Sequence, residues 1–287
     1  MKIGLIGTGL MGQPMAKRLL QAGFPVTAYN RTRSKLAPLA DAGAKIADSP
    51  AATVEAADCL ILMLTNKEAI EETLLSNAYK SLAERTVIQM GTIAPSESQA
   101  LGETVAAAGG DYLEAPVLGS IPQVESGELL VMVGATPAQF ERWSVLLKHF
   151  GPEPMHIGPV GTAAATKLAL NQLIAALTGA FALSFGFVQR QGVDVEKFMQ
   201  ILRQSALYAP TFDKKLQRMS DRNFTNPNFP TKHLLKDIDL FLTEAQQNGL
   251  AVSSLEGVRH VVQQAVESGW ADSDYSSLYC AVNPEIK

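Results

Sequence analysis

The stretch "IGLIGTGLMGQPMAKRLL", residues 3–20, decides the fold. An apolar run of strand character precedes its glycines, and an amphipathic helical pattern follows them. The glycines form a G-x-G-x-x-G pattern, in which Gly7 permits a tight turn, Gly9 lets the backbone approach a pyrophosphate, and Gly12 lets helix and strand pack closely. The stretch therefore predicts a strand–turn–helix unit whose first helical amides face a dinucleotide phosphate. The alternative is a glycine-rich turn without a ligand. The predicted phosphate-binding turn comprises Gly7, Thr8, Gly9, Leu10, Met11 and Gly12.

The organisation around this unit is that of an α/β domain followed by helices. Because short apolar runs alternate with helical patterns up to about residue 161, we predict βαβ units and a doubly wound, largely parallel sheet of Rossmann type. The domains predicted are 1–161, which binds the cofactor, and 162–287, which is all-α and opens with a long interdomain helix over 162–190. The predicted strands are 2–7, 25–30, 58–64, 86–91, 111–115, 128–135 and 154–158.

Local signals predict where the later helices begin and end. Asp194 is a predicted N-cap, and the next helix is predicted to run from Thr231 as its cap to a stop at Gly249. Ser253 is the predicted cap of a capping box, and Gly269 is the predicted stop of that helix.

Composition limits the classes of function. The chain has 287 residues, of which 47% are apolar and 18% charged, with a net charge of −4. This predicts a sizeable core, and it excludes the basic footprint of a nucleic-acid binder. The isolated Cys59 and Cys280 and the absence of a signal-peptide pattern lead us to expect a reduced, cytoplasmic compartment. The run 166–187 is the one candidate membrane span, and we interpret it instead as part of a helix buried on all sides. No metal site is predicted, because the histidines are scattered: His149, His156, His233 and His260.

The end of the second strand selects the cofactor. NAD sites place Asp or Glu there to accept from the ribose 2′-hydroxyl. This chain has Asn30, Arg31 and Thr32 at that place, and no carboxylate. A cationic turn favours a 2′-phosphate, for which Arg31 offers planar donors. We therefore predict NADP(H) as the cofactor. The predicted cofactor site also includes Leu64 and Thr65, at and after the end of the strand 58–64.

Lys167 and Asn171 interrupt the apolar run near its beginning. They are four residues apart, so they share one face of the helix. A lysine near the end of a buried helix often only extends its amine to water. The neighbouring amide argues for a functional pair, because an asparagine in an apolar run also needs partners.

Four motifs in order resemble the β-hydroxyacid dehydrogenases over essentially the whole chain. They are "GLIGTGLMGQPMAKRL", "EAPVLGS" with a later "SGEL", "GPVGTAAATKLALNQ" and "KHLLKDIDL". The family's G-x5-K-x3-N motif falls on Gly161, Lys167 and Asn171. The resemblance implies that Lys167 is the catalytic acid/base and that Asn171 orients the substrate.

The resemblance also implies the rest of the site. Backbone amides of the segment 115–120, at Leu118, Gly119 and Ser120, would hold the substrate carboxylate. Leu118 stands where the family usually has serine, which argues against hydroxyisobutyrate and favours the glyoxylate/succinic semialdehyde reductase branch. Thr92 would lie near the nicotinamide and the substrate. Lys236 would approach the nicotinamide end of the cofactor.

The predicted activity is therefore an NADPH-dependent reduction of small aldehydes that carry a carboxylate. The nicotinamide supplies hydride, and the Lys167 ammonium supplies the proton. Phe229 is a candidate pocket residue, with a core aromatic as the alternative. The alternatives for the activity are hydroxyisobutyrate or tartronate semialdehyde chemistry, imine reduction, and a non-catalytic dinucleotide-binding module. The apolar long helix predicts a homo-oligomer, a dimer or tetramer, with no nucleic-acid or membrane partner.

Overall fold

A computed structural model describes residues 1–285 of the chain. Internal contacts divide the chain into two compact units, Met1–Lys167 and Leu168 onward. The division falls inside one long helix, six residues after the predicted domain boundary at residue 161.

Nine strands form the sheet of the first unit. All seven predicted strands are present, each slightly shorter than predicted, and two short strands, Lys45–Ile46 and Val117–Leu118, were not predicted. These two have only two residues each, too few for an alternating pattern to be visible in the sequence. The strands are β1 (Ile3–Ile6), β2 (Val26–Tyr29), β3 (Lys45–Ile46), β4 (Cys59–Leu62), β5 (Thr86–Gln89), β6 (Asp111–Glu114), β7 (Val117–Leu118), β8 (Leu130–Gly134) and β9 (Met155–Gly158).

The strand order is β3-β2-β1-β4-β5-β6-β8-β7, and β9 pairs with β8. The pairs from β3 to β6 are parallel, whereas β8 is antiparallel to β6 and β7. The predicted doubly wound sheet is thus confirmed, with an antiparallel edge. The order reverses between β1 and β4, and in such sheets ligands bind beyond the carboxyl ends of the strands at this point.

Two apolar layers cover the two faces of this sheet. Ile3 and Leu5 of β1 belong to one layer. Ile6, which follows Leu5 on the opposite face of the strand, belongs to the other layer. The strands β1, β4 and β5 are buried along their whole lengths, as expected for parallel strands covered on both faces.

Helices connect the strands of the first unit. A π-helical turn (Glu71–Leu75) lies between the short helices Lys67–Ile70 and Ser76–Ala78. The helices are α1 (Gly12–Gln21), α2 (Ala37–Ala40), α3 (Pro50–Glu55), α4 (Lys67–Ile70), α5 (Ser76–Ala78), α6 (Pro95–Ala107), α7 (Ile121–Ser126) and α8 (Pro137–Leu147).

The long helix α9 (Thr162–Arg190) has the predicted bounds. By length and composition it is also apolar enough to cross a membrane. The prediction of a helix buried on all sides is wrong, because only one side is buried: that side carries Lys167, Asn171 and Thr178, whereas Leu183 and Phe187 are exposed.

The second unit consists of helices around their own apolar core, as predicted. The core joins α9 residues such as Phe181 and Phe185 to Leu234, Ile238 and Tyr279. The remaining helices are α10 (Val195–Gln204), α11 (Pro210–Ser220), α12 (Thr231–Gln247), α13 (Ser253–Ala265) and α14 (Leu278–Val282).

Two predicted helix caps are wrong, and one is confirmed. Asp194 caps α10 by accepting from the Lys197 amide at 2.9 Å. Thr231 is instead the first residue of α12, and its hydroxyl donates to the Ser273 carbonyl at 2.9 Å. Ser253 is likewise the first residue of α13, and the N-cap position is occupied by Val252, which has no capping side chain. Tertiary contacts and the preceding backbone thus override the local signal. The stops Gly249 and Gly269 adopt the left-handed conformation, with φ of 75° and 93°.

Candidate active site

The turn between β1 and α1 needs two of its glycines for packing. Gly7 has φ of 97°, and a Cβ there would lie 2.3 Å from the carbonyl oxygen of Met63. A Cβ at Gly12 would lie 1.9 Å from the carbonyl oxygen of Gly7. These two positions therefore exclude side chains whatever the turn binds.

Gly9 is different, because a Cβ there would meet no described atom within 4 Å. Packing within the protein therefore does not require glycine at this position, whereas close approach of a ligand to the backbone does. The amides of Leu10 and Met11, just before α1, and of Gly12, its first residue, have no partners within a helix and lie at its positive end. These residues fit the pyrophosphate of a dinucleotide.

The end of β2 orders this turn and presents a cation. Asn30 Oδ1 accepts from the Thr8 amide at 3.1 Å, and Asn30 Nδ2 donates to the Thr32 carbonyl at 3.0 Å. Asn30 thus links the phosphate turn to the β2 end. The Arg31 side chain is 84% exposed, and its ion pair with Glu72 is long, at 3.6 Å. Such an exposed pair is weak, so Arg31 is available to an anionic ligand.

The ends of β4 and β5 lie beside one another at the same edge. A Cβ at Gly91 would lie 2.4 Å from the Leu64 carbonyl oxygen, so the two segments are in direct backbone contact. The buried Gln89 side chain closes the turn after β5, since it donates to the Gly91 carbonyl (3.0 Å) and accepts from the Gly91 amide (3.1 Å). This turn sets the place of Thr92, which is half-buried, and Thr65 is exposed at the end of β4.

The predicted substrate segment leads into α7. Gly119 has φ of 137° and is exposed, and Leu118 is half-buried. The Ser120 amide and hydroxyl both donate to Gln123 Oε1, at 3.0 and 2.8 Å, in a capping box. Of the three amides predicted to hold a carboxylate, that of Ser120 therefore already donates to Gln123. The sequence analysis did not predict this hydrogen bond.

A buried carboxylate, Glu114, ends β6 directly before this segment and is 1% exposed. It accepts hydrogen bonds from the first turn of α9 and from the Ser98 hydroxyl. Burial raises the pKa of the Glu114 carboxyl above its usual range, and these hydrogen bonds oppose that rise. No local pattern marked Glu114 in the sequence, since the same strand begins with a second carboxylate, Asp111.

Lys167 and Asn171 lie one turn apart on α9 and are buried, at 9% and 2% exposure. Asn171 Nδ2 donates to Asp237 Oδ2 on α12 at 2.6 Å. The Lys236 ammonium lies 2.8 Å from Asp237 Oδ1, in an ion pair rather than a directed hydrogen bond. Because a carboxylate only accepts, Asp237 fixes which way the amide faces, and Asn171 Oδ1 has no partner among the described residues.

Phe229 packs edge-on against Tyr275, with ring centroids 5.7 Å apart, in the second unit. This contact agrees with the alternative assignment of Phe229 as a core aromatic. No group of three or more His, Cys, Asp or Glu side chains among residues 1–285 is arranged to hold a metal ion.

Comparison with known families divides the chain in the same order. Residues 2–158 match the family described as the NAD binding domain of 6-phosphogluconate dehydrogenase. Residues 161–282 match the family described as NAD-binding of NADP-dependent 3-hydroxyisobutyrate dehydrogenase.

Individual relatives cover the whole chain. Glyoxylate/succinic semialdehyde reductase 1 of Arabidopsis thaliana is 29% identical, over 98% of each chain. The 2-hydroxy-3-oxopropionate reductase of Escherichia coli strain K12 is 31% identical, over 98% of this chain and 97% of its own. The 3-hydroxyisobutyrate dehydrogenase of Mycobacterium tuberculosis has the same fold, with a TM-score of 0.88 at 21% identity over 97% of each chain.

The fold and the phosphate turn, with these relatives, define an NAD(P)-dependent oxidoreductase acting on hydroxyacid or aldehyde groups. The chain belongs to the β-hydroxyacid dehydrogenase family. The family, the enzyme class and a nicotinamide dinucleotide cofactor were all predicted and are confirmed. The roles of the individual site residues stay predictions.

Proposed function

We propose that the protein is an NADPH-dependent reductase of small aldehydes that carry a carboxylate, with glyoxylate and succinic semialdehyde as its first candidate substrates. One observation carries this proposal: a buried lysine stands one helical turn before an asparagine whose amide is oriented by a buried carboxylate. The Arabidopsis relative, which bears the name of this activity, supports the choice of substrate.

Lys167 is the proton donor in this proposal. The nicotinamide supplies hydride when bound. As negative charge grows on the carbonyl oxygen, the Lys167 ammonium stabilises that oxygen and delivers a proton from Nζ, which leaves a neutral amine. In the oxidation of the alcohol the neutral amine takes the proton back.

Asn171 orients the substrate in this proposal. Its Nδ2 is held by Asp237, so its Oδ1 is the group left to accept a hydrogen bond. A hydroxyl, such as the alcohol that reduction creates, satisfies that oxygen, whereas a carboxylate and an aldehyde oxygen only accept and do not. We therefore assign Asn171 to the reacting end of the substrate, and we assign the carboxylate end to the backbone amides of Leu118 and Gly119.

The choice of NADPH rests on the end of β2. The residues there are Asn30, Arg31 and Thr32, so no carboxylate is present to accept from a ribose 2′-hydroxyl. The Asn30 side-chain oxygen is itself engaged with the Thr8 amide. Arg31 is exposed and weakly paired, so its guanidinium is available to a 2′-phosphate.

The test is a panel of aldehydes assayed by the loss of NADPH and NADH absorbance. We expect glyoxylate or succinic semialdehyde to be reduced with a higher kcat/KM than uncharged aldehydes of matched size, and NADPH to be preferred over NADH. Equal rates for acids and uncharged aldehydes would contradict the carboxylate site. A cyclic imine as the preferred substrate would contradict the reaction class.

We also propose that the protein associates with copies of itself through α9. An apolar stripe on that helix stays exposed, and Leu183 and Phe187 are each 63% exposed. Leu183→Glu should therefore lower the mass measured by light scattering, whereas Val145→Glu, at a 67% exposed position on α8, should not. An unchanged mass in the Leu183→Glu variant contradicts this interface.

A further inference from the structure

The first turn of α9 is held by one side chain from 47 residues earlier in the chain. Glu114 Oε1 accepts from the amides of Gly161 (2.9 Å), Ala163 (2.8 Å) and Ala164 (3.0 Å). The first amides of a helix have no acceptor within the helix, so they need acceptors from elsewhere. One carboxylate oxygen therefore satisfies most of the first turn.

The residue before the helix has no means of capping it. N-cap positions ordinarily carry Ser, Thr, Asp or Asn, whose side chains accept from the first turn, but here the position is Gly161. Its φ of 100° lies in the left-handed region, which turns its amide toward Glu114. The Thr162 amide donates to the Pro159 carbonyl at 3.1 Å, so no first-turn amide is left without an acceptor.

The carboxylate itself is fixed from the other side. The Ser98 hydroxyl donates to Glu114 Oε2, and the Tyr112 hydroxyl lies 2.8 Å from Ser98 Oγ. A Cβ at Gly134 would lie 2.3 Å from Glu114 Oε1, so a glycine at the end of β8 makes room for the carboxylate. The position of Glu114 is therefore determined by several elements of the first unit.

Resting on the proposed function, we infer that Glu114 is a positioning residue for Lys167. Lys167 follows Ala164 by three residues, about 4.5 Å along the helix axis, so anchoring Ala164 sets the place of the Lys167 backbone. Glu114 also directly precedes the segment 115–120 that we assign to the substrate. One side chain thus ties the strand leading to the substrate segment to the helical turn before the proton donor.

The main test is Glu114→Ala. A misplacement of about 1 Å is enough to lower turnover strongly, so kcat should fall by at least ~10-fold. The Kd for NADPH, measured by fluorescence, should stay unchanged, because the phosphate turn is elsewhere in the sheet. Glu114→Gln keeps an acceptor oxygen for the three amides and should recover most of the lost kcat.

The control separates positioning from loss of stability. Thr136 caps α8 by accepting from the Gln139 amide, and Thr136→Ala should lower Tm while leaving kcat unchanged. If Glu114→Ala also lowers Tm but keeps kcat within about twofold of the unmodified protein, the positioning role is wrong. Should Glu114→Ala not fold, Ser98→Ala frees the second carboxylate oxygen, and a kcat equal to that of the unmodified protein would then overturn the inference.

Two measurements without turnover distinguish this inference from the proposed function. Hydrogen exchange at the amides of Gly161, Ala163 and Ala164 should be faster in Glu114→Ala. The rate at which acetic anhydride modifies Lys167, followed by mass spectrometry, should change as well. If the unmodified protein reduces no aldehyde, the proposed function fails. In that case, a rate of Lys167 modification in Glu114→Ala equal to that in the unmodified protein overturns the positioning role. A different rate supports it.

Discussion

Two helix N-termini in the first unit meet the same physical demand in opposite ways. At α1 the chain provides a glycine-containing turn and a cluster of amides. A Cβ added at Gly9 would meet no described atom within 4 Å. At α9 the chain again provides a glycine, but the buried carboxylate of Glu114 takes three of the amides. The first helix therefore leaves its positive end for an anionic ligand, whereas the second uses a negative group of the protein.

The difference shows that the N-terminus of a helix can either bind an anionic ligand or fix the position of the helix in the fold. A helix N-terminus that binds phosphate must keep its amides accessible, and its backbone must come close to the ligand. An N-terminus whose amides are satisfied internally cannot bind an anion, but it becomes a fixed point. Lys167, the proposed proton donor, lies one turn beyond this fixed point.

The largest effect is expected at that lysine. Lys167→Ala should lower kcat by at least ~10²-fold, the lower scale for removing a general acid/base, and should leave the Kd for NADPH nearly unchanged. Lys167→Arg should not restore activity, because a guanidinium does not readily release its proton. The measurement is steady-state kinetics with direct NADPH titration.

Lys214→Ala, at an exposed position on α11, is the matched control and should keep normal kinetics. Near-normal turnover in Lys167→Ala, combined with a lower Tm, would mean that the lysine only extends its amine to water from a buried helix. The fixed start of α9 would then serve stability alone.

The sequence predicted the α1 end in detail and the α9 end only in part, for a physical reason. Gly7, Gly9 and Gly12 act within six residues, so the pattern that reveals them is local. The partner of Gly161 is 47 residues away, and that of Asn171 is 66 residues away, on α12. Neither pairing leaves a periodic signal, and the predicted caps Thr231 and Ser253 failed because distant contacts and backbone geometry decided those helix starts.

A second prediction concerns the α1 end, where the ligand is expected to supply the negative charge. Arg31→Ala should lower kcat/KM for NADPH by roughly tenfold or more, as expected for the loss of one charge-assisted hydrogen bond. The kcat/KM for NADH, which has no 2′-phosphate, should change little. The measurement is the ratio of the two values in each variant.

Arg33→Ala provides the comparison, because Arg33 lies on the same turn but is paired with Asp48 at 2.5 Å. It should alter the ratio less than Arg31→Ala does. Equal losses with NADPH and NADH in Arg31→Ala would remove the basis for the predicted cofactor preference.

A third, smaller effect distinguishes the orientation of a side chain from the placement of the helix backbone. Asp237 holds the Asn171 side chain, whereas Glu114 holds backbone amides. In the oxidation direction, where the hydroxyacid brings a hydroxyl donor, Asn171→Ala should raise KM for the hydroxyacid more than it lowers kcat, by roughly two- to twelvefold for one hydrogen bond. Asp237→Asn should change KM in the same direction, because two facing amides no longer define which way Asn171 points.

Asp239→Asn is the matched control, since Asp239 is on the same helix and pairs with Arg259 at 2.5 Å. It should leave KM unchanged. If Asp237→Asn and Asp239→Asn behave alike, Asp237 does not orient Asn171.

The smallest effect concerns the charge of Glu114 and the pH dependence of stability. Burial raises the pKa of this carboxyl, so the folded state binds its proton more tightly than the unfolded state, where the pKa is about 4.3. The corresponding contribution to stability is fully present below that unfolded value and is lost as pH rises through the folded-state pKa. Glu114→Gln does not titrate, so the Tm of the unmodified protein minus that of the variant should decrease from about pH 4 toward neutrality. A change of about 1 kcal/mol corresponds to about 2–4 °C, which calorimetry at matched pH resolves. A difference that grows with pH would instead mean that the three amides and the helix dipole outweigh burial, and that α9, like α1, prefers a full negative charge at its start.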